Sequence, residues 1–238
     1  MKNAMTLEEL EKRIPALYDY TSGMPDALRG LTFITTYAPG EIIHHKDTDL
    51  PYFGIVAKGE NRVINQLKNG KVFMIEINQP IDFIGEVTVL AQKPTTSVTI
   101  QAVTETTVVY LPRKRAEEWL NSDINILRKV AGHVASKLYR SSYNNGLNMF
   151  YPPTYILADY LVRTYEEMMP DAAMSGTEKK KSLVIPRTHE WLEEELGMNI
   201  KTLERAIRTL REREYFEIKK GKISINFEQY MKLKDYLE

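Results

Sequence analysis

The chain of 238 residues contains no cysteine, which excludes disulfide bonds, thiolate zinc sites, iron–sulfur clusters and a cysteine nucleophile. Histidine is also scarce, with four in the whole chain. His44 and His45 are adjacent, so on a strand their side chains would point to opposite faces and could not share a metal ion. His133 and His189 are expected to be surface or packing residues. We therefore predict no metal site and no catalytic role.

Long apolar runs and net charge are missing as well. No run reaches the about 18 apolar residues of a membrane-spanning helix, and the N-terminus lacks the apolar core of a secretory signal. We expect a cytoplasmic protein with no membrane partner. Lys and Arg together number 32, as do Asp and Glu, so the chain as a whole is neutral. A neutral chain does not coat nucleic acid with its whole surface, although a local basic patch can still bind it.

The first half of the chain predicts a leading helix followed by β structure. Thr6 and Glu9 have the spacing of a capping box, which predicts a helix from residue 7 to about residue 20. Between residues 33 and 111, short runs of β-branched and aromatic residues alternate with turn signals, which is typical of an antiparallel sandwich or barrel. The clearest hairpin is centred on Asn69-Gly70, a pair that favours a tight two-residue turn.

A long helix is predicted after the β region. In residues 123–147, apolar side chains recur every three or four positions, as on one face of a helix about 20 residues and about 30 Å long. A small domain cannot easily cover such a stripe, so we expect a second copy of the chain to pack a parallel helix against it. Packing on the chain's own β domain is the alternative. The stripe consists of Leu127, Val130, Ala131, Val134, Leu138 and Ser141.

Pro152-Pro153 is expected to end this helix, because a proline has no amide proton and biases the preceding residue away from helical conformation. We place a domain boundary there. Helical spacing resumes in residues 154–169, through Leu157, Leu161 and Met168 among others. The polar segment 170–182 is predicted to be a surface loop.

Residues 188–211 predict two short helices joined by a tight turn, which is a helix-turn-helix. Thr188 is a candidate cap for the first helix, Gly197 ends it, and Asn199 caps the second. After them, a hairpin that turns at Lys220-Gly221 would form a wing. The second helix has an apolar stripe made of Leu203, Ala206, Ile207 and Leu210, and a charged face made of Lys201, Glu204, Arg205 and Arg208.

Positive charge is concentrated in this region. Between Gly197 and Lys222 there are eight Lys or Arg against four Glu. Such an excess predicts a DNA-binding surface, because cations neutralise phosphates and exposed helical side chains can read base edges in the major groove. The alternative is a solvated helix in which Glu204 and Arg208 merely pair. The predicted DNA-binding residues are Asn199, Ile200, Lys201, Thr202, Glu204, Arg205, Arg208, Lys219, Lys220 and Lys222.

The order of a β domain, a long helix and a winged helix-turn-helix resembles the catabolite activator and fumarate/nitrate regulator (CRP/FNR) family of bacterial transcription factors. The motifs that carry the resemblance are "YAPGEII", "VAKGE", "NGK" and "DFIGEVTVL" in the β domain, and "GMNIKTLERAIRTL" in the second helix. It covers the chain from about Leu31 onward.

The resemblance implies an α+β fold with an N-terminal antiparallel β-roll, which is a double-stranded β-helix of the jelly-roll kind. A long dimerisation helix and a C-terminal winged helix-turn-helix would follow. The implied domains are a leading helix and β-roll sensor in 1–122, the dimerisation helix and hinge in 123–151, and the DNA-binding domain in 152–238.

The chain departs from the cyclic-nucleotide-binding members of that family, in which an Arg-Ser or Arg-Thr pair holds the cyclic phosphate. Thr96 and Ser97 stand at these positions here. Without the guanidinium, the phosphate loses its bidentate partner. We therefore expect no cAMP binding and no cofactor, and we expect Gly85 and Glu86, which match the family, to shape and cap a turn.

Other residues bear on whether a small molecule binds and on which DNA sequence is recognised. Ser141 and Ser142 fall where the family's long helix approaches an effector across the dimer, so an unknown small molecule could still bind. In the second helix of the helix-turn-helix, Arg205 matches the family, but Lys201 stands in place of a glutamate. Ile200 stands where family members often have arginine. The DNA sequence that is bound should therefore differ from that of the catabolite activator.

These observations together predict a homodimeric transcription regulator that binds an inverted repeat in double-stranded DNA, with RNA polymerase as a further partner if it activates. One alternative is an effector-binding or scaffold protein whose helix-turn-helix makes protein contacts only. A more remote alternative is a cupin-like metal enzyme, which would need histidines and a carboxylate that converge on one ion.

Overall fold

The computed structural model describes residues 5–170 and 182–238, so most of the predicted surface loop lies outside the described residues. The chain divides into two compact units, Met1–Ser141 and Ser142–Glu238. The predicted combination of helices and antiparallel sheets is confirmed. The predicted three-part division at residues 122 and 151 stays a prediction, because the long helix runs through the point where the two units divide.

The first unit begins with three short helices, α1 (Leu7–Arg13), α2 (Pro15–Thr21) and α3 (Asp26–Arg29). The predicted capping box is confirmed: the Glu9 amide donates to Thr6 Oγ1 (3.3 Å), and the Thr6 amide donates to the Glu9 carboxylate (3.0 Å). The prediction of one helix reaching residue 20 is wrong. Ile14 leaves the helical conformation (φ −132°, ψ 80°) because the ring of Pro15 disfavours a helical residue before it.

Two four-stranded antiparallel sheets form the predicted β-roll, with strand orders β1-β8-β3-β6 and β2-β7-β4-β5. Val56, Ile84 and Val108 of the first sheet meet Ile100 of the second in a core between the sheets. Alternate residues of the first sheet, such as Phe53, face the helices instead. The strands are β1 (Phe33–Tyr37), β2 (Ile42–His44), β3 (Tyr52–Lys58), β4 (Asn61–Gln66), β5 (Val72–Asn78), β6 (Asp82–Ile84), β7 (Thr99–Ala102) and β8 (Thr106–Pro112).

The predicted hairpin between β4 and β5 is confirmed, but its turn is longer than expected. Gln66 pairs with Val72, and the Leu67 amide donates to the Lys71 carbonyl (2.8 Å), which leaves three residues in the loop. Only Gly70 of the Asn69-Gly70 pair has a positive φ, of 80°. A two-residue turn of the expected type needs positive φ at both central residues, so it cannot form here.

Three helices complete the unit: α4 (Glu86–Leu90), α5 (Arg113–Ser122) and α6 (Ile124–Phe150). Helix α6 has 27 residues, more than the predicted 20 or so, and its residues after Ser141 belong to the second unit. The prediction of one apolar stripe on α6 is wrong, because the stripe separates into two faces.

The inner face of α6 contributes Ile126 and Val130 to the core of the first unit. The outer face carries most of the predicted stripe and is only partly covered, with Leu127 half-buried against the core of the first unit. Ala131 is exposed, and Leu138 is 66% exposed. The outer-face residues are Leu127, Ala131, Val134, Leu138 and Ser141, at alternating intervals of four and three.

The second unit is a helical core with a small sheet, as expected for a winged helix-turn-helix. Its helices are α7 (Pro153–Met168), α8 (His189–Leu196), α9 (Ile200–Glu212) and α10 (Phe227–Leu237), and its strands β9 (Leu183–Val184), β10 (Glu217–Lys219) and β11 (Lys222–Ile225) are ordered β10-β11-β9. The predicted break is confirmed, because α6 ends at Phe150 and Pro153 begins α7. The predicted helical spacing of residues 154–169 is confirmed by α7, in which Met168 is exposed and Tyr165 is buried one turn earlier.

Candidate nucleic-acid interface

Helix α8 begins and ends at the predicted residues. The Thr188 hydroxyl accepts a hydrogen bond from the Trp191 amide (3.2 Å) and so caps the first turn. Gly197 ends the helix with a left-handed backbone (φ 65°), a conformation that glycine adopts without steric cost. Leu192 and Leu196 are buried in the core of the second unit. The turn from Gly197 to Asn199 then leads directly into α9.

Helix α9 is capped by Asn199, as predicted. Asn199 Oδ1 accepts hydrogen bonds from both the amide (3.0 Å) and the hydroxyl (3.1 Å) of Thr202. The predicted division into two faces is also confirmed. The buried face consists of Leu203, Ala206, Ile207 and Leu210, and the exposed face contains Lys201, Glu204, Arg205 and Arg208.

The side chains on the exposed face of α9 are available to an external partner. Arg205 donates from Nε to the Lys201 carbonyl (3.3 Å) and from Nη2 to the Thr202 hydroxyl (3.5 Å), so its guanidinium lies along the helix surface. In the described part of the chain, Glu204 and Arg208 form no ion pair with each other. Ile200 is half-buried and packs against the core of the second unit. Family members often have an arginine at this position.

The wing is a tight hairpin with a basic tip. Lys220 (φ 50°) and Gly221 (φ 76°) both have positive φ, as a two-residue hairpin turn requires. Strand register places Lys219 directly opposite Lys222. Lys219 also pairs with Glu217 (3.2 Å), but this exposed pair adds little stability. The turn therefore brings three lysines together at the end of the hairpin.

The candidate effector residues Gly85 and Glu86 do shape a turn. Gly85 (φ 87°) is the residue before α4, and a Cβ atom there would lie 2.5 Å from Leu50 Cδ2. Glu86 begins α4 and is buried. Burial raises the pKa of Glu86, against the opposing positive charge of Lys137.

The remaining candidate effector residues are on separate elements. Thr96 is buried, and its hydroxyl donates to the carbonyls of His45 (3.1 Å) and Val98 (3.2 Å). Ser97 is exposed. On α6, Ser141 is half-buried in the first unit and Ser142 is an exposed residue of the second.

Comparisons with known proteins agree with this architecture. Residues 34–123 match the family model of the cyclic nucleotide-binding domain. A mutant of CooA from Carboxydothermus hydrogenoformans is a similar solved structure, with a TM-score of 0.74 and 16% identity, covering 94% of this chain and 95% of that one. FixK2 from Bradyrhizobium japonicum has a TM-score of 0.63 and 20% identity, covering 85% of this chain and 96% of that one.

A transcriptional regulator of the CRP/FNR family from Thermus thermophilus also matches, with a TM-score of 0.64, 18% identity and coverage of 85% of this chain and 98% of that one. The chain has the CRP/FNR fold. The family resemblance recognised in the sequence is thereby confirmed at the level of fold and β-roll domain. A comparison with curated protein sequences finds no match.

In the unit that contains the CRP/FNR β-roll, one buried cluster of charged side chains around Lys137 was not predicted. Lys137 on α6 donates to Asn78 Oδ1 (2.9 Å), Asp82 Oδ1 (2.9 Å) and Glu86 Oε1 (3.0 Å). The sequence signal that could have revealed it is a lysine seven positions after Val130, on the buried face of the helix.

The histidines of the described residues do not form a metal-binding cluster. His133, predicted to be a surface or packing residue, is half-buried with its Nδ1 3.3 Å from Asp82 Oδ1. In residues 5–170 and 182–238 of this CRP/FNR fold, no three or more His, Asp or Glu side chains gather as a metal site would require. In the same residues, no helix is long and apolar enough to span a membrane.

Proposed function

We propose that the protein is a transcription regulator without catalytic activity that binds double-stranded DNA as a homodimer through helix α9 and the β10–β11 wing. The observation that carries the proposal is the division of α9, whose apolar side is buried in the second unit while its cationic side is exposed. A helix held in this way can enter a major groove without leaving its own domain.

The cations of this surface suit two different roles on DNA. Lys219, Lys220 and Lys222 at the wing tip fit the backbone, because ammonium groups neutralise phosphates without regard to sequence. Arg205 fits a base, because a guanidinium can donate two hydrogen bonds to guanine in the major groove. Lys201 adds a donor where an acidic residue would accept from cytosine, which favours guanine or phosphate.

The outer face of α6 supports a homodimer. Its residues recur at alternating intervals of four and three, the spacing of a two-stranded coiled coil. The inner face lies one residue earlier in each turn, about 100° around the helix. The helix can thus pack on its own β-roll with one face and on a second copy with the other. Two α9 helices in a two-fold dimer would meet successive major grooves about 34 Å apart and favour an inverted repeat.

Replacing Leu138 by Glu is expected to weaken this dimer. Leu138 is 66% exposed, so the change leaves the fold of the first unit intact, but it puts a charge into the helix seam. We expect the dimer dissociation constant to rise at least about tenfold. Analytical ultracentrifugation over a dilution series measures it.

Ser136→Glu is the matched control, because Ser136 is exposed on the side of α6 away from the outer face. It should keep the dissociation constant of the unchanged protein. Equal constants for Leu138→Glu and Ser136→Glu would contradict the proposed interface.

Replacing Arg205 by Ala is expected to relax the preference at one base position of the operator by about 1 to 3 kcal/mol. Lys219→Ala should instead lower the affinity for every sequence alike, because it removes a phosphate contact. The operator is first found by selecting bound DNA from random duplexes with the purified protein, and mobility shifts on its single-base variants then give both values. If both variants discriminate among bases as the unchanged protein does, Arg205 does not read a base.

The β-roll is proposed to receive the signal. Its match to the cyclic nucleotide-binding domain supports a small-molecule effector, but the side chain at position 96 is a buried hydroxyl that already donates to two carbonyls. We therefore propose an effector other than cAMP. RNA polymerase is a further proposed partner if the bound operator lies upstream of a promoter that the protein activates.

A further inference from the structure

The inner face of helix α6 changes from apolar to charged along its length. Ile126 and Val130 fill the core of the first unit, and His133, Lys137 and Arg140 continue the same row at intervals of three and four. Each of the three contacts an acidic residue of the β-roll. Nδ1 of His133 lies 3.3 Å from Asp82, Lys137 lies between Asp82 and Glu86, and Arg140 Nη2 lies 2.8 Å from Glu76.

The Lys137 contacts differ from the others in burial. The side chains of Lys137, Asp82 and Glu86 are 15%, 11% and 8% exposed, whereas that of Arg140 is 53% exposed. An exposed ion pair contributes little to stability, but removing one partner from a buried group leaves an uncompensated charge, which is strongly destabilising. Of the three residues in this row, Lys137 should therefore contribute most to the stability of the first unit.

The buried ammonium joins four elements of one unit. It lies on α6 and donates to the last residue of β5, the first residue of β6 and the first residue of α4. Asn78 is fixed in turn, since its Nδ2 donates to Asn61 Oδ1 (3.0 Å) and to the Phe83 carbonyl (3.5 Å). The lysine head group is thus held in a network that is almost fully buried.

The charges of this network are not balanced by Lys137 alone. Asp82 and Glu86 bring two carboxylates against one ammonium, with His133 beside Asp82 and the hydroxyl of Tyr20 3.5 Å from the His133 ring. Burial alone would lower the pKa of Lys137, but the charges of Glu86 and Asp82 outweigh it and raise that pKa. Lys137 is therefore charged at neutral pH, and its loss would leave two carboxylates facing each other.

We propose that Lys137 is an internal counter-ion that holds α6 on the β-roll without any bound small molecule. Two candidate effector residues, Glu86 and Thr96, already have partners within the chain, and an external ligand at Glu86 would have to displace the ammonium. This inference concerns the first unit alone and does not depend on DNA binding.

The test is thermal unfolding of the whole 238-residue chain, measured by calorimetry. Lys137→Met is expected to lower the midpoint for the first unit by about 10 °C at about pH 8. Arg140→Met, the control on the same face, should lower it by no more than about 3 °C. Adding Glu86→Gln to Lys137→Met should restore about half of the loss, because it removes one of the uncompensated charges.

The pH dependence separates a lost charge from lost packing. Burial raises the pKa of Glu86, so the folded protein binds a proton there more readily than the unfolded chain does. The penalty of an unpaired Glu86 carboxylate is then present at high pH and disappears as the pH falls through that raised pKa. The difference between Lys137→Met and the unchanged protein should therefore shrink from about pH 8 to about pH 5.

Hydrogen exchange adds a local measurement, in which residues 133–141 should exchange faster in Lys137→Met than in Arg140→Met. Millimolar cAMP or cGMP should leave the midpoint of the unchanged protein where it is. The proposal is overturned if Lys137→Met loses no more stability than Arg140→Met, if its loss is the same at both pH values, or if either nucleotide raises the midpoint of the unchanged protein.

Discussion

Raising the salt concentration from 50 to 200 mM is expected to weaken operator binding by roughly three orders of magnitude or more. Lys219, Lys220 and Lys222 are the proposed phosphate contacts, and with Lys201 and Arg208 counted as two more a dimer would make about ten. Each contact releases counterions, and the entropy gained by their release becomes smaller as salt is added. A plot of log affinity against log salt concentration, from fluorescence anisotropy with a labelled duplex, measures the effect.

Lys219→Ala is the matched variant for this experiment. It removes one contact from each protomer, so the slope of the plot should become shallower by about two. A salt-independent affinity would contradict the proposed interface, and it would favour the alternative in which the helix-turn-helix makes apolar contacts with another protein. A steep slope that Lys219→Ala leaves unchanged would show that phosphates are contacted elsewhere.

Leu203→Ala is expected to reduce the free energy of unfolding of the second unit by about 2 to 5 kcal/mol. The Leu203 side chain is fully buried between α9 and the body of the unit, and no solvent reaches the cavity that its truncation leaves. For a unit of this size, such a loss lowers the unfolding midpoint by about 10 °C or more. Differential scanning calorimetry is the appropriate measurement, because the two units can unfold in separate transitions.

Arg205→Ala is the control for Leu203→Ala, since it lies on the same helix but on the exposed face. It should change the midpoint by no more than about 3 °C while it alters base preference. Equal midpoints for the two variants would mean that α9 does not depend on its apolar side for its position. The two variants together therefore test whether the apolar face of α9 anchors the helix in the second unit while the exposed face contributes little to stability.

The sequence predicts the second unit better than the first, and the reason is local. Asn199, Thr188 and Gly197 define helix ends through contacts within a few residues, and an apolar stripe every three or four positions needs no knowledge of its partner. The wing hairpin is equally local, because Lys220-Gly221 adopts the turn that its residue types favour. Strand β9 has two residues and pairs far along the chain, so no local pattern predicts it.

Most errors in the first unit come from interactions that distant residues decide. The break at Ile14 is the exception, because a proline inside a predicted helix is a local signal. Asn69-Gly70 favours a two-residue turn, but the register of β4 and β5 requires one residue more. The sequence predicts one face on α6 because Val130 is three residues from Leu127 and four from Val134, within helical spacing of both. Only the packing of the β-roll separates the two faces. Lys137 was missed because its carboxylate partners are 51 or more residues away in the chain.

The proposed double use of α6, on its own β-roll and on a second copy, restricts how this chain can change in length. Deleting or inserting one residue between Val130 and Lys137 would rotate everything beyond it by about 100°. Such a rotation would swing Lys137 away from its carboxylates and turn Leu138 out of the seam at once. Only insertions or deletions of about seven residues, which is close to two helical turns, would keep both faces of α6 in their present directions. Natural relatives should accordingly tolerate varied residues on this helix much more readily than varied spacing.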